Sequence, residues 1–380
     1  MKIIYTIHGT CNPGGMERVL INKVNYLANL PNYDVYIITS GQRGRAPFYE
    51  ISSKVKCIDL DVNYSETIEG NPIIRLYDSA IKHFRHKSRL KKKLFELKAD
   101  IVVSMFTNDV DFLHKIKDGS RKILEIHFSR GFRLLKDRKG IMRLVDVYMT
   151  YLNDRIVAKY DRFVVLTHQD RESWKSKKNI SVIYNAVPNG DNKIVSSLDN
   201  KKALAIGRIV YQKNMELLVD LWAEISKKHP DWILTIVCVG NSIELQEKIK
   251  SKSLDKIINL VPSTNSIEDY YIESSLYLMT SRFEGLPMVL LEAQNYGLPI
   301  VSFDCECGPR EIINHKENGY IIEETNETDF VEKVSMILEN ETLRKEFGSN
   351  AKTNSLKFSE ENIMQQWLEL FKEVTNENTN

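Results

Sequence analysis

Leu276-Tyr277-Leu278-Met279-Thr280-Ser281-Arg282-Phe283-Glu284-Gly285-Leu286-Pro287-Met288-Val289-Leu290-Leu291-Glu292-Ala293 reads as a strand, a short loop and the start of a helix. The first four residues form an apolar run without alternation, the pattern of a parallel strand covered on both faces. Pro287 suits the first helical position, because its fixed φ matches the helix and its missing N–H would have had no partner there. A buried strand feeding directly into a helix is the repeating unit of an α/β sheet. The reading puts Glu284 on the loop and Glu292 inside the helix, at the C-terminal edge of the strands, where open α/β sheets bind ligands. The helix start adds unbonded N–H groups and a positive dipole end, both suited to phosphate oxygens. By spacing alone, two glutamates eight apart are common by chance and read as a loop carboxylate and an exposed helix residue.

The same alternation extends outward through the chain. Short apolar runs at 3–7, 35–39, 55–60, 101–105, 123–127, 163–166 and 181–184, then at 203–206, 233–239, 257–261, 276–279, 300–303 and 320–322, predict parallel strands with helical patterns between them. Residues 186–200, rich in Pro, Asn, Gly, Asp and Ser, predict a break. The expected organisation is a first α/β domain over 1–185, a linker over 186–200, a second α/β domain over 201–357, and a terminal helical segment over 358–380. A length of 380 residues agrees with two domains at roughly 150 residues each. Charge divides at the same place. Residues 1–200 hold 34 Lys+Arg against 22 Asp+Glu, a balance of +12, and the remainder holds 19 against 29, a balance of −10, within a total of +2.

A hydrophobic content of 42% argues against disorder. The five cysteines form no Cys-x-x-Cys pair, so neither a disulfide framework nor a zinc site is suggested, and a reducing compartment is expected. The apolar run at the start is too short for a signal segment, and no stretch of about 18 apolar residues occurs. Any membrane contact is therefore expected to be peripheral.

Three further stretches stand at strand ends. Gly207-Arg208-Ile209-Val210-Tyr211-Gln212-Lys213-Asn214 follows the first strand of the second half, and its two cations, Arg208 and Lys213, could neutralise a departing diphosphate or be ordinary surface charges. His8-Gly9-Thr10-Cys11-Asn12-Pro13-Gly14-Gly15-Met16-Glu17-Arg18 joins the first strand to the first helix. There Gly14 and Gly15 allow either close approach of a phosphate or simply tight packing. His127 closes the run Ile123-Leu124-Glu125-Ile126 as a polar residue at a strand's edge. The pairs Asp59/Asp61 and Asp109/Asp111 have metal-motif spacing but read better as strand-end and helix-start acids.

Two basic-apolar segments complete the first half. Over 73–98, Ile73, Tyr77, Ile81 and Phe84, then Leu90, Leu94 and Leu97, are expected on one helix face, and eight Lys/Arg between 82 and 98 accompany Glu96 alone. The second segment, 128–144, carries Arg130, Phe132, Arg133, Leu134, Leu135, Lys136, Arg138, Lys139, Ile141, Met142 and Arg143. Such clusters suit an anionic lipid surface. A solvated face and nucleic acid are the other readings, and no nucleic-acid module surrounds them.

The run from Glu284 to Glu292, continued by Gly297-Leu298-Pro299-Ile300-Val301, resembles the retaining glycosyltransferases of family 4, whose second domain carries two glutamates separated by seven residues. Gly207-Arg208 with Lys213-Asn214 is similar to that family's diphosphate-binding pair, and Gly14-Gly15-Met16-Glu17-Arg18 to a loop of its first domain. The resemblance covers most of the chain, most specifically 207–311, and is weak through the middle of the first half. It implies a GT-B architecture, two Rossmann-like domains facing a cleft, with the terminal helix crossing back to the first. By the same resemblance Glu284 faces the donor sugar and Glu292 the ribose. Gly285, Leu286 and Pro287 lie along the sugar and diphosphate, Arg208 and Lys213 neutralise the diphosphate, Gly14 and Gly15 close on phosphate, and His127 positions the sugar or acceptor. The implied reaction moves a sugar, from a UDP-sugar in the first instance, to a hydroxyl of a glycan or lipid-linked saccharide with retention, and needs neither metal nor cofactor. The implied location is the cytoplasm, at the inner face of the cell membrane. A sugar-nucleotide epimerase of the same architecture and a non-catalytic binder of anionic surfaces are the alternatives.

Overall fold

Among the described residues thirteen strands form at the runs that predict them, and most are apolar along their length because they are covered on both faces, the edge strand at Lys56–Asp59 being the exposed exception. The computed structural model describes residues 1–64, 72–136, 138–187, 194–264 and 266–376. Residues 188–193 of the expected linker and the last four residues of the expected terminal segment lie outside these. The chain divides into two compact units: Met1–Tyr184 together with the residues from Ile363 onward, and Asn185–Asn362.

In the first unit the elements run β1 (Lys2–Ile7), α1 (Gly15–Asn29), β2 (Asp34–Thr39), β3 (Lys56–Asp59), α2 (Pro72–Leu97), β4 (Ile101–Ser104), β5 (Arg121–Glu125), α3 (Ile141–Val157), β6 (Arg162–Val165), α4 (His168–Ser173) and β7 (Ile180–Val182). Its seven strands are all parallel in the order β3-β2-β1-β4-β5-β6-β7. The order reverses between β1 and β4, so the loops after those strands flank a topological switch point.

The second unit contains β8 (Lys202–Arg208), α5 (Met215–Lys228), β9 (Ile233–Val239), α6 (Ile243–Ser251), β10 (Ile258–Pro262), α7 (Ile267–Glu273), β11 (Leu276–Met279), α8 (Met288–Asn295), β12 (Ile300–Phe303), α9 (Pro309–Ile312), β13 (Gly319–Ile322), α10 (Glu327–Glu339) and α11 (Glu341–Ser355). Six parallel strands follow the order β10-β9-β8-β11-β12-β13 and reverse between β8 and β11. Both units are Rossmann-like α/β bodies, as the alternation predicts. Each has its own core, one around Ile4, Val102, Leu124 and Phe163, the other around Leu218, Trp222, Leu234 and Phe330.

The terminal helix α12 (Glu360–Asn376) packs with the first unit, burying Ile363, Trp367, Leu370 and Phe371 at helical spacing. Beneath it, Lys23 of α1 is buried with its ammonium 3.6 Å from the Trp367 ring centroid. Helix α2 departs from expectation. Tyr77, Ile81 and Phe84 face outward, whereas Lys82, His86, Leu90 and Leu94 are buried. Six residues separate Phe84 from Leu90, an advance of about 600°, so the two apolar stripes could not share a face.

Candidate functional site

The second unit's site is built at its switch point. β11 delivers the loop 280–287, and β8 ends in Gly207-Arg208 directly beside it in the sheet. Arg208, the last residue of β8, is exposed. The connection to α5 turns through Asn214, at φ 53°, and brings Lys213 and Gln212 back over the β11 loop. Lys213 Nζ reaches Glu284 Oε1 at 2.6 Å, with side-chain exposures of 14% and 7%. Gln212 Nε2 donates to the Phe283 carbonyl at 2.9 Å and approaches Glu284 Oε2 at 3.3 Å. Arg282 N–H donates to the Gln212 carbonyl at 2.8 Å, closing the two loops together.

A second loop, after β12, supports the first. Glu284 N–H donates to the Glu306 carbonyl at 3.1 Å, and Phe283 bridges Glu306 in parallel. Cys305 is buried there, and burial first, then the Glu284 carboxylate, push its thiol up. Gly308 stands at φ 99°, and a Cβ on it would come within 2.3 Å of Pro287 Cδ and 3.1 Å of the Gly285 carbonyl. Only glycine lets this loop press so closely on the 285–287 backbone.

Helix α8 begins at Met288, with Pro287 as its flanking residue, one position later than the sequence suggests. Gly285, Leu286 and Pro287 thus lead into the helix start, whose first N–H groups have no partner within the helix. Glu292, one turn in, is buried and accepts from Tyr271 Oη at 2.8 Å. Tyr271 in turn stacks on Tyr296 and Tyr277, with centroids 5.2 and 6.1 Å apart.

In the first unit the loop after β1 ends at Gly14, which flanks α1, and Gly15 is its first residue. The Glu17 carboxylate folds back over Gly14, where a Cβ would meet its Oε2 at 2.0 Å, while nothing lies within 4 Å of one on Gly15. Burial raises the Glu17 carboxyl, and a hydrogen bond to the Asn12 side chain partly offsets this. His127 does not end a strand, because β5 closes at Glu125 and His127 stands two residues beyond, in the following loop. Its Nε2 lies 3.1 Å from Glu125 Oε1, off the line of a hydrogen bond. Glu125 is buried and accepts from Lys23 Nζ at 2.5 Å. Burial pushes the Glu125 carboxyl up, but Lys23 and His127 outweigh it and bring it to about 2.

Sequence reasoning missed Gln212, Tyr271, Gly308, Lys23 and Glu125 as parts of these sites. Glu125 did carry a signal, a carboxylate inside an apolar strand run, which demands a buried counter-charge. The acids with metal-like spacing have internal partners: Asp109 accepts from Thr6, Ser104 and Thr107, and Asp59 from Thr39. Asp109 lies in a turn rather than at the helix start the sequence suggests.

Known proteins give this geometry a context. Residues 13–189 match the family described as Glycosyltransferase Family 4, and residues 188–354 the family described as Glycosyl transferases group 1. The amylovoran biosynthesis glycosyltransferase AmsD of Erwinia amylovora is 31% identical over 389 residues, covering 96% of this chain and 98% of that protein. An α-1,4-N-acetyl-D-galactosaminyltransferase of Campylobacter jejuni, named for a PP-undecaprenol-linked acceptor, is 24% identical over 99% of both chains. Among solved structures, a point mutant of S. aureus TarM in complex with fondaparinux, α-GlcNAc-glycerol and UDP shares the fold with a TM-score of 0.75 at 18% identity, over 97% of this chain and 99% of that one.

Proposed function

This chain belongs to the glycosyltransferases, in the families matched by its two halves, and from that premise we propose that it transfers a sugar from a UDP-sugar to a hydroxyl of a glycan or lipid-linked saccharide, with retention. The observation that carries the reading is the Lys213–Glu284 pair at the β8/β11 switch point, next to the start of α8. A buried cation–carboxylate pair beside a helix N-terminus offers both charges a nucleotide sugar requires, positive toward the diphosphate and negative toward sugar hydroxyls. In this reading Lys213 and the exposed Arg208 take up the charge that grows on the diphosphate as the bond to the anomeric carbon breaks. Glu284 orients the sugar, Glu292 binds the ribose, and Gly285, Leu286 and Pro287 follow the diphosphate. We assign Gly14 and Gly15 to phosphate and His127 to positioning of the sugar or acceptor.

No carboxylate is assigned as nucleophile. The acceptor oxygen bonds to the anomeric carbon on the face the diphosphate leaves, and the acceptor's proton passes to the departing phosphate oxygen. Arg208, Lys213 and the α8 dipole stand in for a metal, so chelator leaves the rate unchanged. UDP in the TarM complex and the PP-undecaprenol-linked acceptor of the Campylobacter relative support the donor and acceptor classes. We further propose contact with an anionic membrane through 73–98 and 128–144, at the inner face of the cell membrane. Among the described residues no helix is long and apolar enough to cross one.

The test is a panel of UDP-sugars with and without saccharide acceptors, scored by UDP release and product mass. Arg208→Ala and Glu284→Ala each lower turnover by about a hundredfold or more, while circular dichroism stays unchanged. Full activity in either variant refutes the assignment, and a rearranged sugar formed without acceptor makes the protein an epimerase.

A further inference from the structure

Helix α3 is amphipathic in the inverted sense. Its inward face is polar: Asp146, Thr150, Asn153 and Asp154 are buried, and Arg138 pairs with Asp146 while Arg130 grips Asp154 through two contacts of 2.8 Å. Those ion pairs fix the rotation of the helix. Over 141–148 its apolar residues therefore point out, with Ile141, Leu144 and Tyr148 78%, 69% and 59% exposed and Val145 and Val147 between them, whereas Ile156 and Val157 at the far end pack on the core. The residues recur at i, i+3 and i+7, one continuous stripe. A contiguous apolar stripe on a charged protein is a place of contact rather than a solvated face.

The charge beside the stripe identifies the contact. Where α3 ends, an open groove of about 980 Å³ is lined by Arg155, Lys159, Lys175, Lys177 and Lys178. Lys177 is paired with Glu172, and Arg155 and Lys175 lie over the Tyr151 ring at 5.9 and 5.2 Å. The only carboxylates on α3 are Asp146 and Asp154, both turned inward and neutralised. A second copy of this face would bring apolar residues and an excess of cations, its Glu172 being already paired with Lys177, whereas an anionic lipid surface supplies both an apolar layer and phosphates at its rim. Neither Arg130 nor Arg138, which the sequence counts toward a basic surface, is available for this role.

We infer that the outward face of α3 seats in the interface of an anionic phospholipid bilayer, with Ile141, Leu144 and Tyr148 among the acyl chains and Arg155, Lys159, Lys175 and Lys178 on the phosphates. The inference rests on the membrane contact proposed above and relocates its anchor to 141–157 and the groove at 175–178. The experiment is co-sedimentation of the full chain with vesicles of phosphatidylcholine alone and of phosphatidylcholine and phosphatidylglycerol in equal parts, at low and high salt. Binding is expected to the mixed vesicles and to weaken with salt. Leu144→Glu combined with Tyr148→Glu lowers it about tenfold or more, and Lys175→Glu with Lys178→Glu removes about fivefold per cation. All four positions lie on the surface, and unchanged hydrogen exchange of peptides from β5 and β6 reports an intact first unit. Mixed-vesicle binding that survives Leu144→Glu/Tyr148→Glu overturns the α3 anchor and leaves the contact through 73–98 standing. Absence of binding by the unaltered protein overturns both. A dimer in sedimentation velocity that the same substitutions dissociate gives the face to a second copy and also overturns the inference.

Discussion

Replacing Lys23 by Met keeps the stem of the side chain and removes its charge, leaving Glu125 1% exposed with His127 3.1 Å away. Breaking a buried pair from one side costs about 3–5 kcal/mol, because the remaining charge has lost its solvation and its partner. The carboxyl agrees in direction: against the effect of burial, Lys23 and His127 bring it from 4.5 to about 2, whereas burial lowers the Lys23 ammonium despite Glu125, so each group holds its charge through the other. The assay is urea unfolding followed by hydrogen exchange of peptides from α1 and β5, which report the first unit separately. Lys23→Met/Glu125→Gln recovers about 2 kcal/mol or more of the loss seen in Lys23→Met, since no unpaired charge then remains. The pH dependence follows in sign. Because the folded value lies below the unfolded one, the contribution of Glu125 is complete above about pH 4.5 and disappears as pH falls toward about 2. A cost below about 1 kcal/mol for Lys23→Met, or a double variant whose loss equals the sum of the singles, refutes the argument.

Two further substitutions probe the donor site. Gly308→Ala places a methyl 2.3 Å from Pro287 Cδ at a backbone angle side chains rarely adopt; it costs about 1–3 kcal/mol and weakens UDP binding by calorimetry about tenfold, and an unchanged Kd contradicts the support role of the 305–308 loop. Tyr271→Phe removes the 2.8 Å hydrogen bond to Glu292, costing about 1 kcal/mol and so about fivefold in donor KM with kcat unchanged; a fall in kcat at constant KM contradicts the ribose assignment.

What is legible in the sequence follows from what each element has to satisfy. Strands such as β9 and β12 are buried on both faces, so their identity is written in every residue and they form at the expected positions, while the ends of the other strands move by at most two positions. The run 123–127 reads as strand two residues past its end because Ile126 is buried and its N–H still donates to the Val164 carbonyl of β6, which makes it indistinguishable in sequence from a strand residue. In α2 the stripe through Tyr77, Ile81 and Phe84 is as regular as a core face, yet the core takes Lys82, His86, Leu90 and Leu94, with Lys82 paired to Asp78 and His86 bonded to Tyr64. Glu284 and Glu292 stand out because they share one loop and one helix. Gln212 and Tyr271 do not, since each meets its glutamate only through sheet order, across 72 and 21 residues of chain.

The placement of α12 bears on synthesis. The first unit is interrupted: it opens at Met1, pauses after Tyr184 and resumes at Ile363. A chain emerging from the ribosome has therefore delivered all of the second unit before Trp367 arrives to cover Lys23. Domains usually mature in the order they are made, but here the later body can close while the earlier one still exposes a buried cation and its carboxylate. A ribosome stalled before residue 363 would release a protein with one finished half and one that no amount of time completes.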